Sequence, residues 1–204
     1  MRTPSPPPRP ISIEAPSVEN FTIDSLRKIF KQFQLVAPEG LVATKTFTDI
    51  FNDLILLNFG NEILPEQWSN LSQAQIEHLA RMLASGSEFV DWRNWLLAAS
   101  MPWKYPTQTQ LLDLLQLYKK VDRSQSGYIS KTQFLQTPLW FKINKPDTPA
   151  DKNHPHSFDR HMSLINFWFD VFSMPVPVNV VNQANLGSTV QTEDKLDYKN
   201  MVHT

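Results

Sequence analysis

One spacing recurs four times in this chain and narrows what it can fold into. A β-capable apolar residue is followed five positions later by a large apolar one: Val42 with Phe47, Val90 with Trp95, Ile129 with Phe134, Leu196 with Met201. Each pair follows a polar or glycine-containing stretch, and each second residue opens a helical pattern or lies early in one. A helix, a twelve-residue loop and a second helix produce this layout, with a short strand at loop position 8 and a core residue just past position 12. Self-similarity of this kind identifies the repeating unit of a fold. The expected architecture is mostly α: two pairs of degenerate EF-hand-like helix-loop-helix units with short loop strands, one pair over 19–104 and one over 105–204.

The segments between the repeats carry helical faces. Ile23, Leu26, Ile29, Phe30 and Phe33 share one side at three- and four-residue spacing, and Phe47, Ile50, Phe51, Leu54 and Ile55 do so in a helix starting near Thr44. Ser72 with Gln75 and Thr107 with Gln110 have the capping-box spacing, which predicts helices over 73–84 and 108–121. Met162, Ile165, Phe169 and Phe172 mark a later one. Residues 1–18 hold six of the 16 prolines and are expected to form a disordered arm, because proline lacks an N–H and fixes φ. Within it, Pro6 to Pro10 is a polyproline II candidate for a PxxP-reading domain. The stretch near 175–194, rich in Val, Asn, Gln, Ser and Thr, is expected to be a long irregular loop.

One loop matches the calcium-binding pattern in part. Asp122 stands at position 1, Ser124, Ser126 and Ser130 at positions 3, 5 and 9, Gly127 at the sharp turn of position 6, and Tyr128 at position 7, where a backbone carbonyl would be the ligand. Position 12, usually a bidentate glutamate, is Gln133. An amide removes one ligand oxygen and one negative charge, so affinity no better than on the order of 10⁻³ M is expected. The same register places Leu35 and Thr46, Leu83 and Asn94, and Thr189 and Asn200 at positions 1 and 12 of the other three loops, with Glu193 a lone acid in the last. None of these assembles a cation cage. The expectation is no resident cofactor, with weak calcium binding as the alternative.

Charge and composition exclude several function classes. Nineteen Lys and Arg against 20 Asp and Glu leave a net charge of −1, too little positive field for nucleic-acid binding through bulk charge. There is no Cys, which removes disulfides, thiolate zinc sites and thiol nucleophiles and fits a reducing compartment. No apolar run suggests a membrane span, so a soluble, intracellular chain is expected. His154, His156, Asp159 and His161 cluster in the sequence, but Pro155 interrupts them and no i, i+4 histidine pair forms; they read as a solvated loop entering a helix. With five Gly, no phosphate-binding loop and no nucleophile elbow, no enzymatic activity is expected. Trp92 and Trp95, three apart, are both expected in the core.

Particular stretches carry a family resemblance. Val90-Asp91-Trp92-Arg93-Asn94-Trp95-Leu96-Leu97, then Met101-Pro102-Trp103, the loop from Val121 to Phe134, and Leu139-Trp140-Phe141 resemble the C-terminal region of the sperm flagellar protein 2 family. Phe167 to Phe172 and Leu196-Asp197-Tyr198 are also similar, with a longer Asn-, Gln- and Thr-rich segment between them here. The resemblance implies a structural or adaptor role in motile cilia and the sperm flagellum, at the axonemal central apparatus, with axonemal or cytoskeletal protein partners and neither nucleic acid nor membrane. The family's calponin-homology-like region and long coiled segments have no counterpart in this sequence, as in a fragment, an isoform or a short relative.

Overall fold

Thr22 caps the first described helix by accepting the Ser25 N–H at 3.1 Å, and the apolar stripe that follows buries Leu26, Ile29 and Phe33. The computed structural model describes residues 21–56, 64–143, 145–151, 153–181 and 188–202, so the expected Pro-rich arm at 1–18 lies outside the described residues. The first half runs α1 (Ile23–Val36), β1 (Leu41–Ala43), α2 (Thr44–Leu56), a short α3 (Glu66–Ser69), α4 (Gln73–Leu83), β2 (Phe89–Asp91) and α5 (Trp92–Ser100). The second half runs α6 (Gln108–Val121), β3 (Tyr128–Ser130), α7 (Lys131–Gln136), α8 (Phe158–Phe172), β4 (Ser173–Val181), β5 (Ser188–Asp197) and α9 (Tyr198–Val202). Over the described residues the protein is mostly helical, with two small sheets.

Each sheet joins two helix-loop-helix segments through the recurring apolar residue. In the first, β1 and β2 are antiparallel with Val42 opposite Val90; in the second, β3 and β5 are antiparallel with Ile129 opposite Leu196. All four are buried, as are the residues five positions on, Phe47, Trp95, Phe134 and Met201. Three of the helix starts carry complete capping boxes: Ser72 with Gln75, Thr107 with Gln110, and Ser130 with Gln133. The two glycines at the sharp turns, Gly40 (φ 96°) and Gly127 (φ 88°), adopt the left-handed conformation that other residues resist.

The stretch near 175–194 departs from the irregular loop expected of it. Over its described residues it is a hairpin, in which β4 pairs with β5 from Ser173 opposite Leu196 to Val181 opposite Ser188. Strand order β3-β5-β4 makes β4 an edge. Pro175 and Pro177 stand two apart, so both missing donors fall on one side of the strand, and an edge is where a sheet tolerates that. The fourth unit therefore has this hairpin where a long irregular loop was expected.

Aromatic side chains fill the core. In the first half Trp95 is the hub, its ring meeting Phe21 at 5.6 Å, Phe47 at 5.9 Å, Phe51 at 5.4 Å and Trp68 at 5.6 Å in edge-on geometry. Trp92 stacks on Phe33 at 5.7 Å. Helix α8 packs against α1 and α5, with Phe167 meeting Phe30 edge-on at 6.2 Å, so the buried residues of both halves form one continuous cluster.

Candidate functional site

The loop from Asp122 to Gln133 does bring the sequence-derived ligand set around one opening. A cavity of roughly 630 Å³ is lined by Asp122, Ser124, Ser126, Tyr128, Ser130 and Gln133, with Glu193 and Lys195 of β5 facing them. Inside it, the polar groups are already engaged with one another. Asp122, 3% exposed, accepts on Oδ1 from Ser124 Oγ (2.8 Å), the Ser126 N–H (3.2 Å) and Ser126 Oγ (3.1 Å). Its Oδ2 accepts from the Gly127 N–H at 2.7 Å and from the Tyr198 hydroxyl at 3.2 Å. Burial opposes ionisation of this carboxyl, but the hydrogen bonds from Ser124, Gly127 and Ser126 outweigh it and hold its pKa below the usual range. The Tyr198 phenol is pushed up by burial and by the Asp122 charge and hydrogen bond.

Gln133, at loop position 12, also caps the helix that follows. Its Oε1 accepts the Ser130 N–H at 2.8 Å as the capping-box partner, and its Nε2 donates to the Val121 carbonyl at 3.3 Å. The side chain thus ties the loop's exit to the end of α6. Ser126 Oγ accepts the Tyr128 N–H at 3.2 Å and approaches its carbonyl at 3.3 Å. Ser87, at the matching position of the second unit, does the same to Phe89 at 3.0 and 2.7 Å. In the loop of the first unit, Arg93 and Trp92 act as clasps: Arg93 donates to the Pro38 carbonyl at 2.7 Å and the Glu39 carbonyl at 3.0 Å, and Trp92 to the Ala37 carbonyl at 2.8 Å. The Ser130-Gln133 spacing is a readable capping signal that coincides with positions 9 and 12 of the metal pattern. The Tyr198 contact, made across 76 residues, had no local signal.

The histidine cluster differs from the solvated loop expected of it. His161 is fully buried, its ring 4.6 Å from Trp103, and its Nε2 accepts the His156 N–H at 3.2 Å. Burial, then the His156, His154 and Arg160 charges, lower its pKa to about 4. Trp103 in turn stacks on Phe141 at 3.7 Å, and Trp140 stacks on Trp168 at 5.9 Å. Among the described residues, no group of three or more His, Asp or Glu side chains has the arrangement to hold a metal ion.

The SPEF2 C-terminal domain family matches residues 20–182. The chain belongs to that family. Sperm flagellar protein 2 of Sus scrofa is 40% identical to it over 171 residues, and that of Homo sapiens 40% over 176 residues, each match covering 83% of this chain. The protein of Mus musculus is 38% identical over 174 residues. The chain spans only 9% to 10% of the length of these relatives. The SPEF2 C-terminal match runs from the start of α1 through β4, and β5 and α9 lie beyond it. Among the described residues, no helix is long and apolar enough to cross a membrane.

Proposed function

We propose that this chain is a non-enzymatic structural or adaptor module of the sperm flagellum, built from two pairs of degenerate EF-hand-like units that stay folded without a metal ion. The observation that carries the reading is the Asp122 carboxylate, which accepts five hydrogen bonds from its own loop and from Tyr198. A cation entering here must compete with the Ser124, Ser126 and Tyr198 hydroxyls for the Asp122 oxygens. With Gln133 neutral and committed to Ser130 and Val121, the site has one anionic ligand position. A unit closed in this way is a permanent docking block and not a switch.

Placement follows the relatives, whose name is sperm flagellar protein 2. The axoneme, and within it the central apparatus, is the proposed location, with axonemal or cytoskeletal proteins as partners. Calcium titration of the chain tests the module. The expected outcome is no saturable heat into the millimolar range and equal melting temperatures in calcium and in chelator. Saturable binding abolished by Asp122→Ala would replace this reading with a weak calcium-responsive one, for which the six residues around the shared cavity provide the ligands. Imaging a tagged chain in sperm tests the placement: signal along the central pair supports it, and signal outside the flagellum overturns it.

A further inference from the structure

A second opening lies where the two halves meet, between the start of α1, the end of α5 and the start of α8. It encloses about 530 Å³. Its floor is apolar, from Phe21, Trp103 and Leu164, and Tyr105 stands at its mouth, 65% exposed. The charged residues that line it are all cations: Lys104 and Arg160, both exposed. Among the described residues, no carboxylate lines the groove and neither cation is paired with one.

We propose that this groove docks a segment of a partner protein that places a bulky apolar side chain beside one or more carboxylates. The apolar floor accommodates the anchor, as the pockets of docking interfaces do, and the two cations select acid against base around it. An acidic segment meets complementary charge at the rim, whereas a basic one meets two unopposed positive charges in a chain that is otherwise near neutral. The proposal deepens the docking reading above and rests on it, by assigning that module a surface and a partner chemistry.

Selection of a random dodecapeptide library on the immobilised full chain tests it. The expected result is enrichment of peptides with an aromatic or aliphatic anchor flanked by Asp or Glu, whose binding weakens with salt. The Lys104→Glu, Arg160→Glu double variant should lose these peptides at least about tenfold and favour basic-flanked ones. Both side chains are exposed, so folding is checked by an unchanged melting curve, and Tyr105→Ala offers a second, uncharged disruption. Peptides enriched equally by the double variant, or none enriched, overturn the proposal. So does a synthetic peptide of residues 11–20 of this chain that outcompetes every selected one, which would make the occupant internal. Binding to phosphatidylserine vesicles in place of peptides overturns it as well. Calcium titration and flagellar imaging are independent of all these outcomes, so failure of the groove is distinguishable from failure of the module.

Discussion

Trp168 of α8 donates its indole N–H to Ser100 Oγ at the end of α5, at 2.7 Å, and the Ser100 hydroxyl donates onward to the Leu97 carbonyl at 2.9 Å. This buried chain of two bonds fastens the second half to the first beside the aromatic stack. Ser100→Ala leaves the indole N–H buried without an acceptor, and a loss of about 1–3 kcal/mol is expected in chemical denaturation. Trp168→Phe removes the donor and also opens a void, so its cost should be the larger of the two.

Tyr118 is the converse case. Its ring is fully buried between Tyr198, at 5.6 Å, and Phe134, at 6.3 Å, while its hydroxyl has no partner. Burial of this phenol pushes its pKa upward. Replacing it by Phe keeps the ring contacts and removes an orphaned polar group. Tyr118→Phe should therefore raise stability by about 1 kcal/mol, seen as a higher melting temperature. A lower melting temperature would mean that the hydroxyl has an acceptor in solution.

Much of this packing was readable in the sequence, and the division has a physical basis. The four spaced pairs and the boxes at Ser72 and Thr107 depend on residues within one turn or one loop, so local pattern and final structure agree. Trp92 and Trp95 both reached the core as their spacing implied. The hairpin did not announce itself, because Pro175 and Pro177 argue against a strand until β5 makes theirs the edge. His161 looked solvated beside His154 and His156, and only the approach of Trp103 buries it. Gln133 fits two local patterns at once, loop position 12 and the capping box with Ser130, and its side chain makes the cap.

The buried histidine sets a pH dependence. Its pKa falls from the ordinary 6.5 to about 4 on folding, so between those values the unfolded chain takes up a proton that the folded chain refuses. Stability is then complete above pH 6.5 and declines as pH drops toward 4, by at most about 1.4 kcal/mol per pH unit for one group. Asp122 adds to the loss at lower pH, since its depressed pKa stabilises the fold only while the carboxylate is ionised. Groups around His161 include His154, His156 and Arg160, all of which work against its protonation. Melting temperatures across this range should fall for the native chain and stay flatter for His161→Gln, which keeps an acceptor for the His156 N–H.

The left-handed glycines Gly40 and Gly127 should differ in their tolerance. A Cβ on Gly40 would lie 2.5 Å from Arg93 Nη1, the nitrogen that holds the Glu39 carbonyl. A Cβ on Gly127 would meet the Lys199 side chain at 3.0 Å, an exposed ammonium free to swing away. Both substitutions pay for a positive φ, roughly 1–2 kcal/mol. Gly40→Ala additionally disturbs the Arg93 clasp, so it should be the more damaging in a thermal melt.

The order of strands along the chain has a consequence for biosynthesis. On the ribosome, β1 can find β2 once Asp91 has emerged, well before α6 is complete. Ile129 must wait for Leu196, close to the last described residue. Until then the nascent second half exposes one apolar strand and an aspartate lacking its tyrosine.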